Sequence, residues 1–160
     1  MMKTLALFLG LVLSALPSSS ADRIMLIGVW KLLSYQTEFQ DGGPKRALFG
    51  EHPTGYIVFT SEGRMMAIIE AEGRKAPSTD ADRAALLSSV IAYSGKYRVE
   101  GNRWITTVDT AWNPAWVGTD QVRSYELVGD RLTVTAMWQP AVNISGAPVA
   151  RGILQFERVK

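Results

Sequence analysis

The sequence predicts an all-β domain: an eight-stranded up-and-down antiparallel barrel with one short α-helix between the third and fourth strands. Three observations predict it. First, Thr60-Ser61-Glu62-Gly63-Arg64, Val99-Glu100-Gly101-Asn102-Arg103 and Leu127-Val128-Gly129-Asp130-Arg131 share one pattern, a glycine-centred turn between β-rich runs. Each glycine can supply the positive φ of a tight hairpin. Second, apolar and polar residues alternate along the flanking runs, with the two-residue period of a half-buried strand. Third, helical character is confined to one Ala- and Leu-rich segment after Pro77.

The 160 residues suffice for one domain with a sizeable core. Residues 1–21 read as a separate element. Met1-Met2-Lys3 is a short basic start, Thr4 to Leu16 is almost unbroken apolar sequence, and Pro17 to Ala21 is a small-residue exit. That layout is expected of a secretory signal peptide cleaved after Ala21, with Ser19 and Ala21 as the small residues read by the peptidase. The alternative is a buried N-terminal helix. Cleavage leaves a barrel domain over 22–160, periplasmic or secreted. The apolar run is shorter than the roughly 20 residues a spanning helix needs, so no transmembrane anchor is expected in the mature protein. The chain has no cysteine, hence no lipoprotein attachment site and no disulfide.

Strands are predicted near 28–39, 54–60, 64–70, 94–99, 103–111, 120–128, 131–138 and 150–158. Eight strands suit a closed barrel whose interior holds side chains or one ligand. Ser78 and Thr79 offer cap oxygens, and Asp80 and Asp82 first-turn carboxylates. Leu86, Leu87, Val90 and Ile91 then fall on one face at helical spacing. This predicts a helix of about 12 residues whose apolar stripe packs on the barrel's rim or flank. Residues 139–149 read as a loop.

Alternation also predicts the interior. Gly95, Tyr97 and Val99 are expected inside, with Trp104, Thr106, Val108 and Thr110, and with Gln121, Arg123, Tyr125 and Leu127. Leu132, Val134, Ala136 and Trp138 follow, and Leu154, Phe156 and Arg158 complete the set. In the second strand, apolar on both faces, Tyr56 and Val58 are assigned inward. The one anomaly is Arg123, because a guanidinium buried without a partner costs several kcal/mol. Three readings stand. Arg123 pairs with a carboxylate, Glu38 first by its phase with Trp30; or a bulge turns it outward; or the barrel is hollow and Arg123 awaits a ligand.

Gly28-Val29-Trp30 resembles the Gly-x-Trp signature of lipocalins. The resemblance implies that Trp30 plugs the closed end of the barrel and that an arginine near the chain's end packs across it, with Arg158 as the candidate. Further matches follow in order. They are Lys31-Leu32-Leu33-Ser34, Pro53-Thr54-Gly55-Tyr56-Ile57, Gly63-Arg64-Met65, Ala92-Tyr93-Ser94-Gly95, Pro114-Ala115-Trp116-Val117-Gly118-Thr119-Asp120-Gln121-Val122-Arg123 and Gly129-Asp130-Arg131-Leu132. Together they resemble the bacterial and fungal lipocalin-like domain family, of the calycin barrel type, across the mature chain. The resemblance implies fold far more than function. Relatives often carry histidine in the strand before the Asn-Pro-x-Trp loop, where this chain has Thr106-Thr107. Any acid–base work by that histidine is therefore not expected here.

Several function classes are excluded or disfavoured. Without Lys3 the chain carries 16 basic and 15 acidic residues, and Lys45-Arg46 is the densest basic point, so no nucleic-acid partner is expected. His52, the single histidine, sits beside Pro53 and reads as a turn residue ahead of a catalytic one. With one histidine and no cysteine, metal and Cys/His nucleophile sites are disfavoured. No glycine-rich phosphate loop opens a helix, and no cofactor is expected. Ser88-Ser89 reads as a polar helix face. Trp112 and Trp116 either line the barrel mouth or cap the core.

The leading expectation is a binding protein for a small hydrophobic molecule, an oxygenated apolar compound such as a fatty acid, with the helix as a candidate lid. Arg123 and Tyr125 are the expected polar anchors, with Gln121, Thr106, Tyr97, Tyr56, Trp138 and Trp116 around them. The second is a cofactor-independent isomerase, cyclase or dehydratase in the same cavity, drawing on Tyr97, Tyr125 or Asp109. The third is a filled barrel that serves as an interaction module.

Overall fold

The computed structural model describes residues 23–141 and 144–160. The expected signal peptide, residues 1–21, lies outside them. One helical turn over 23–26 precedes β1 (Gly28–Phe39), β2 (Thr54–Phe59) and β3 (Arg64–Glu70). Helix α1 (Asp80–Ser88) leads into β4 (Val90–Glu100) and β5 (Arg103–Ala111). A 3₁₀ turn (Pro114–Trp116) precedes β6 (Asp120–Val128) and β7 (Arg131–Ala136), and a two-residue β8 (Gln139–Pro140) precedes β9 (Val149–Arg158).

Neighbouring strands pair antiparallel in chain order, β7 pairs with β9, and β9 pairs back onto β1. The result is a closed eight-stranded barrel, with β8 as a short addition on β9. Closure leaves no full-length sheet edge to be shielded. The β2–β3, β4–β5 and β6–β7 hairpins all turn at one end, through glycines at φ 84° (Gly63), 60° (Gly101) and 59° (Gly129). All four long connections lie at the other end. That division decides where a ligand can enter.

The hairpin end is the floor. Trp30 is fully buried there, its Nε1 donating to the Leu26 carbonyl at 2.8 Å. The Arg158 guanidinium lies 4.1 Å from its ring centroid and donates to the Ile27 and Met25 carbonyls at 2.8 and 2.7 Å. Phe59, Trp104, Leu132 and Phe156 fill the space above.

Four expectations about facing are corrected. In β2, Ile57 and Phe59 point inward while Tyr56 is 44 % exposed, because Ile57 lies directly opposite Trp30 and shares its face. In β1 an extra residue at Leu33 shifts the register, so Glu38 faces outward and pairs with Arg151 at 2.6 Å. In β5 the register skips Asp109, which leaves Thr110 exposed. And β7 stops at Ala136, so Trp138 leaves the barrel wall and lies 4.5 Å beneath the Arg151 guanidinium.

The helix is shorter than expected. Val90 and Ile91 pair with Glu70 and Ile69 as the start of β4, since β-branched residues fit a pleated surface better than a helix end. Thr79 caps α1 in a capping box with Asp82. No α1 residue is fully buried; Leu86 is half-buried and Leu87 exposed, so the apolar stripe packs only in part.

Candidate functional site

A cavity of about 80 Å³ opens toward the end with the long connections. Its walls are apolar: Ile57, Ala67 and Ile69 on one side, Val134 and Leu154 on the other. Leu48, Trp112, Trp116 and Ile144, from three of the connections, form its mouth. No residue of α1 lines it, so the lid expectation is also corrected.

The mouth owes its shape to the Asn-Pro turn. The Asn113 side chain accepts from the Ala115 N–H at 3.0 Å, and Pro114 fixes the first 3₁₀ position. Trp116 is thereby folded back edge-on to Tyr93, with centroids 5.3 Å apart, and to Trp112 at 4.7 Å. Of the two readings of the tryptophan pair, both apply to Trp116: it packs against the core and lines the cavity.

Arg123 lines the same cavity and is only 7 % exposed. One terminal nitrogen donates to the Val122 carbonyl at 2.8 Å, the other to Gln121 Oε1 at 3.3 Å. Gln121 is held in turn by donating to Thr119 Oγ1 at 3.1 Å. The guanidinium carbon lies 5.7 Å from the Trp116 centroid and 5.9 Å from that of Tyr93. Among the described residues no carboxylate is within salt-bridge distance of it; Glu38, the suspected partner, is on Arg151 instead. Trp104, opposite Arg123 across the β5–β6 ladder, also lines the cavity, and its buried Nε1 has no hydrogen-bond partner. An apolar pocket with a few convergent donors is the usual form of a small-molecule site.

The remaining expected residues are scattered. Thr106 is fully buried in the wall, its Oγ1 unpartnered, but does not line the cavity. Tyr97 sits at the floor, its hydroxyl donating to the Thr60 carbonyl at 3.4 Å and its ring edge-on to Phe59. Tyr125 packs beside Trp104, with ring centroids 5.8 Å apart, and does not line the cavity. Tyr56 and Trp138 face outward. Asp109 is on the outer face, with its carboxyl held below the usual range by Arg64 and, second among the hydrogen bonds, Ser94. His52 is an exposed turn residue. Among the described residues no group of three or more His, Cys, Asp or Glu is placed to hold a metal, and no helix is long and apolar enough to cross a membrane.

Four polar residues of the cavity lining escaped the alternation: Tyr35, Thr37, Gln139 and Arg151, the last of them paired with Glu38. Burial pushes the Tyr35 phenol up, and the Arg123 charge and the Thr37 hydroxyl only partly offset it. Only knowledge of the register shift at Leu33 would have found Tyr35 and Thr37.

No curated protein matches the chain at a significant level. In overall trace it is similar to a crystal structure of an uncharacterized protein from Bacteroides eggerthii, with 13 % identity and a TM-score of 0.41, over 84 % of this chain and 99 % of that one. The pattern of the lipocalin-like domain matches residues 27–159, which is the whole barrel from before β1 to the end of β9, and the chain belongs to that family.

Proposed function

We propose that this barrel binds a small, mostly apolar molecule bearing a carboxylate or carbonyl, with Arg123 as its anchor. One observation carries the reading: a buried guanidinium with no carboxylate partner among the described residues faces a mostly apolar cavity. Two of its five N–H groups are used locally, one on each terminal nitrogen, which leaves three to donate to an acceptor. The volume supports a compact ligand. At roughly 10–15 Å³ of cavity per water, the space takes a single ring or short branched chain before any wall must move, rather than an extended fatty acid. The basic start, apolar run and small-residue exit of residues 1–21 support a second part of the reading, a signal peptide that delivers the protein to the periplasm or the cell exterior.

Titration with benzoate and with methyl benzoate tests the anchor, followed by tryptophan fluorescence since Trp112 and Trp116 line the mouth. Arg123→Met should weaken benzoate by about 2 kcal/mol or more, the usual loss for a charged hydrogen bond, and weaken the ester, whose neutral carbonyl is the poorer acceptor, by less. Equal benzoate affinity in the variant and the parent protein would end the reading.

A further inference from the structure

The strand β1 spends an irregularity on one side chain. Without the extra residue at Leu33, the alternation that buries Trp30 and Leu32 would bring Ser34 and Gln36 inward and turn Tyr35 to solvent. With it, Tyr35 lies opposite Leu154 and Thr37 opposite Gly152, both partners being inward residues of β9. The phenol therefore enters the cavity.

Gly152 has an ordinary strand conformation, so no turn requires a glycine there. What requires it is Tyr35. A Cβ at position 152 would stand 2.8 Å from Tyr35 Cε2 and 3.1 Å from its hydroxyl oxygen. The ring fills the space that the missing side chain leaves, and Phe49 packs on it at 4.8 Å between centroids. A register shift, a glycine and an aromatic contact thus converge on the placing of one hydroxyl.

Arg123 reaches the same cavity from β6, which β7 and β9 separate from β1 around the closed sheet. We propose that Tyr35 and Arg123 form a two-donor clamp across the cavity for one carboxylate, and that the ligand is a compact aromatic monocarboxylate of about benzoate's size. This rests on the Arg123 anchor and adds the second donor and the ligand class. A neutral phenol donates a hydrogen bond to a carboxylate oxygen without adding charge, while the guanidinium supplies the countercharge. The Trp116 and Tyr93 rings, already edge-on to each other beside Arg123, offer an aromatic ligand further edge-to-face contacts.

Calorimetric titration of benzoate and methyl benzoate into the parent protein, Tyr35→Phe, Gly152→Ala and Arg123→Met tests the clamp. Tyr35→Phe keeps the ring and should lower benzoate affinity about tenfold or more, with the ester changed by less than about threefold. Gly152→Ala, which crowds the phenol without deleting it, should lower benzoate affinity too, and serves should Tyr35→Phe fold poorly. Benzoate should also shift the ultraviolet titration of one tyrosine to higher pH in the parent protein, a shift absent from Tyr35→Phe. If Arg123→Met loses benzoate while both Tyr35→Phe and Gly152→Ala bind it as the parent does, the clamp is overturned and the anchor stands. If Arg123→Met also binds it unchanged, or the parent does not bind it, both are overturned.

Discussion

The guanidinium of Arg158 and the indole of Trp30 lie opposite each other across the β1–β9 ladder and stack at 4.1 Å, so the barrel's first and last strands are locked at the floor. The stack is reinforced from outside, where Arg158 also lies 3.4 Å from the Asp130 carboxylate. Trp30→Ala removes the stack, the bond to the Leu26 carbonyl and a fully buried ring. A loss of roughly 3–5 kcal/mol in urea unfolding is expected, as for other buried Trp→Ala changes. A loss below about 1 kcal/mol would show that the floor does not depend on Trp30.

Tyr35 makes the stability sensitive to alkali. An unfolded tyrosine titrates near 10, and burial sets the folded value above that. Between the two values the native state keeps a proton that the unfolded chain has lost. Its contribution is therefore complete below about pH 10 and declines as the pH rises toward the folded value. Urea midpoints at pH 9 and 11 should fall further for the parent protein than for Tyr35→Phe. Parallel declines would mean that the phenol ionises as freely in the barrel as outside it.

The cap of α1 responds to acid. Asp82 is held at about 2, first by the backbone N–H groups of Ser78 and Thr79, at 3.0 and 2.9 Å, then by the hydroxyls of the same residues. Its folded value is depressed, so the capping contribution is present above the unfolded value near 4 and is lost as the pH falls toward about 2. Nuclear magnetic resonance should find the Asp82 carboxyl titrating near 2, with amide exchange in residues 80–88 quickening over the same range. A carboxyl titrating near 4 would contradict the box.

The signal peptide proposed for residues 1–21 gives a fourth prediction. Mass measurement of the protein from its producing cell should find a mature chain beginning at or near Asp22. A soluble protein that keeps Met1 would contradict export.

The order of strands was legible because it rests on local chemistry. Gly63, Gly101 and Gly129 occupy turn positions of positive φ that other residues adopt at a cost, and the runs between them alternate. The residues that shape the cavity were less legible. Leu32-Leu33 is an apolar pair in which nothing marks the second as the inserted residue, yet it decides that Tyr35 rather than Glu38 faces Arg123. Val90 and Ile91 satisfy both a helical stripe and a strand, and only pairing with Ile69 and Glu70 settles the matter. Tyr56-Ile57-Val58-Phe59 is apolar on both faces, so its phase came from Trp30 across the ladder. Gln121 and Arg123 were found because β6 runs without a bulge in its pairings with β5 and β7.

The pairing of Trp30 with Arg158 has a practical side. Both free ends of the described sheet emerge on the floor, while every long connection surrounds the mouth at the opposite pole. A barrel tethered to a sensor surface through Lys160 hangs by its base, with its entrance toward the bulk liquid. Binding kinetics measured in that orientation report the cavity unobstructed, and the rim segments can be exchanged as cassettes without disturbing the anchorage beneath.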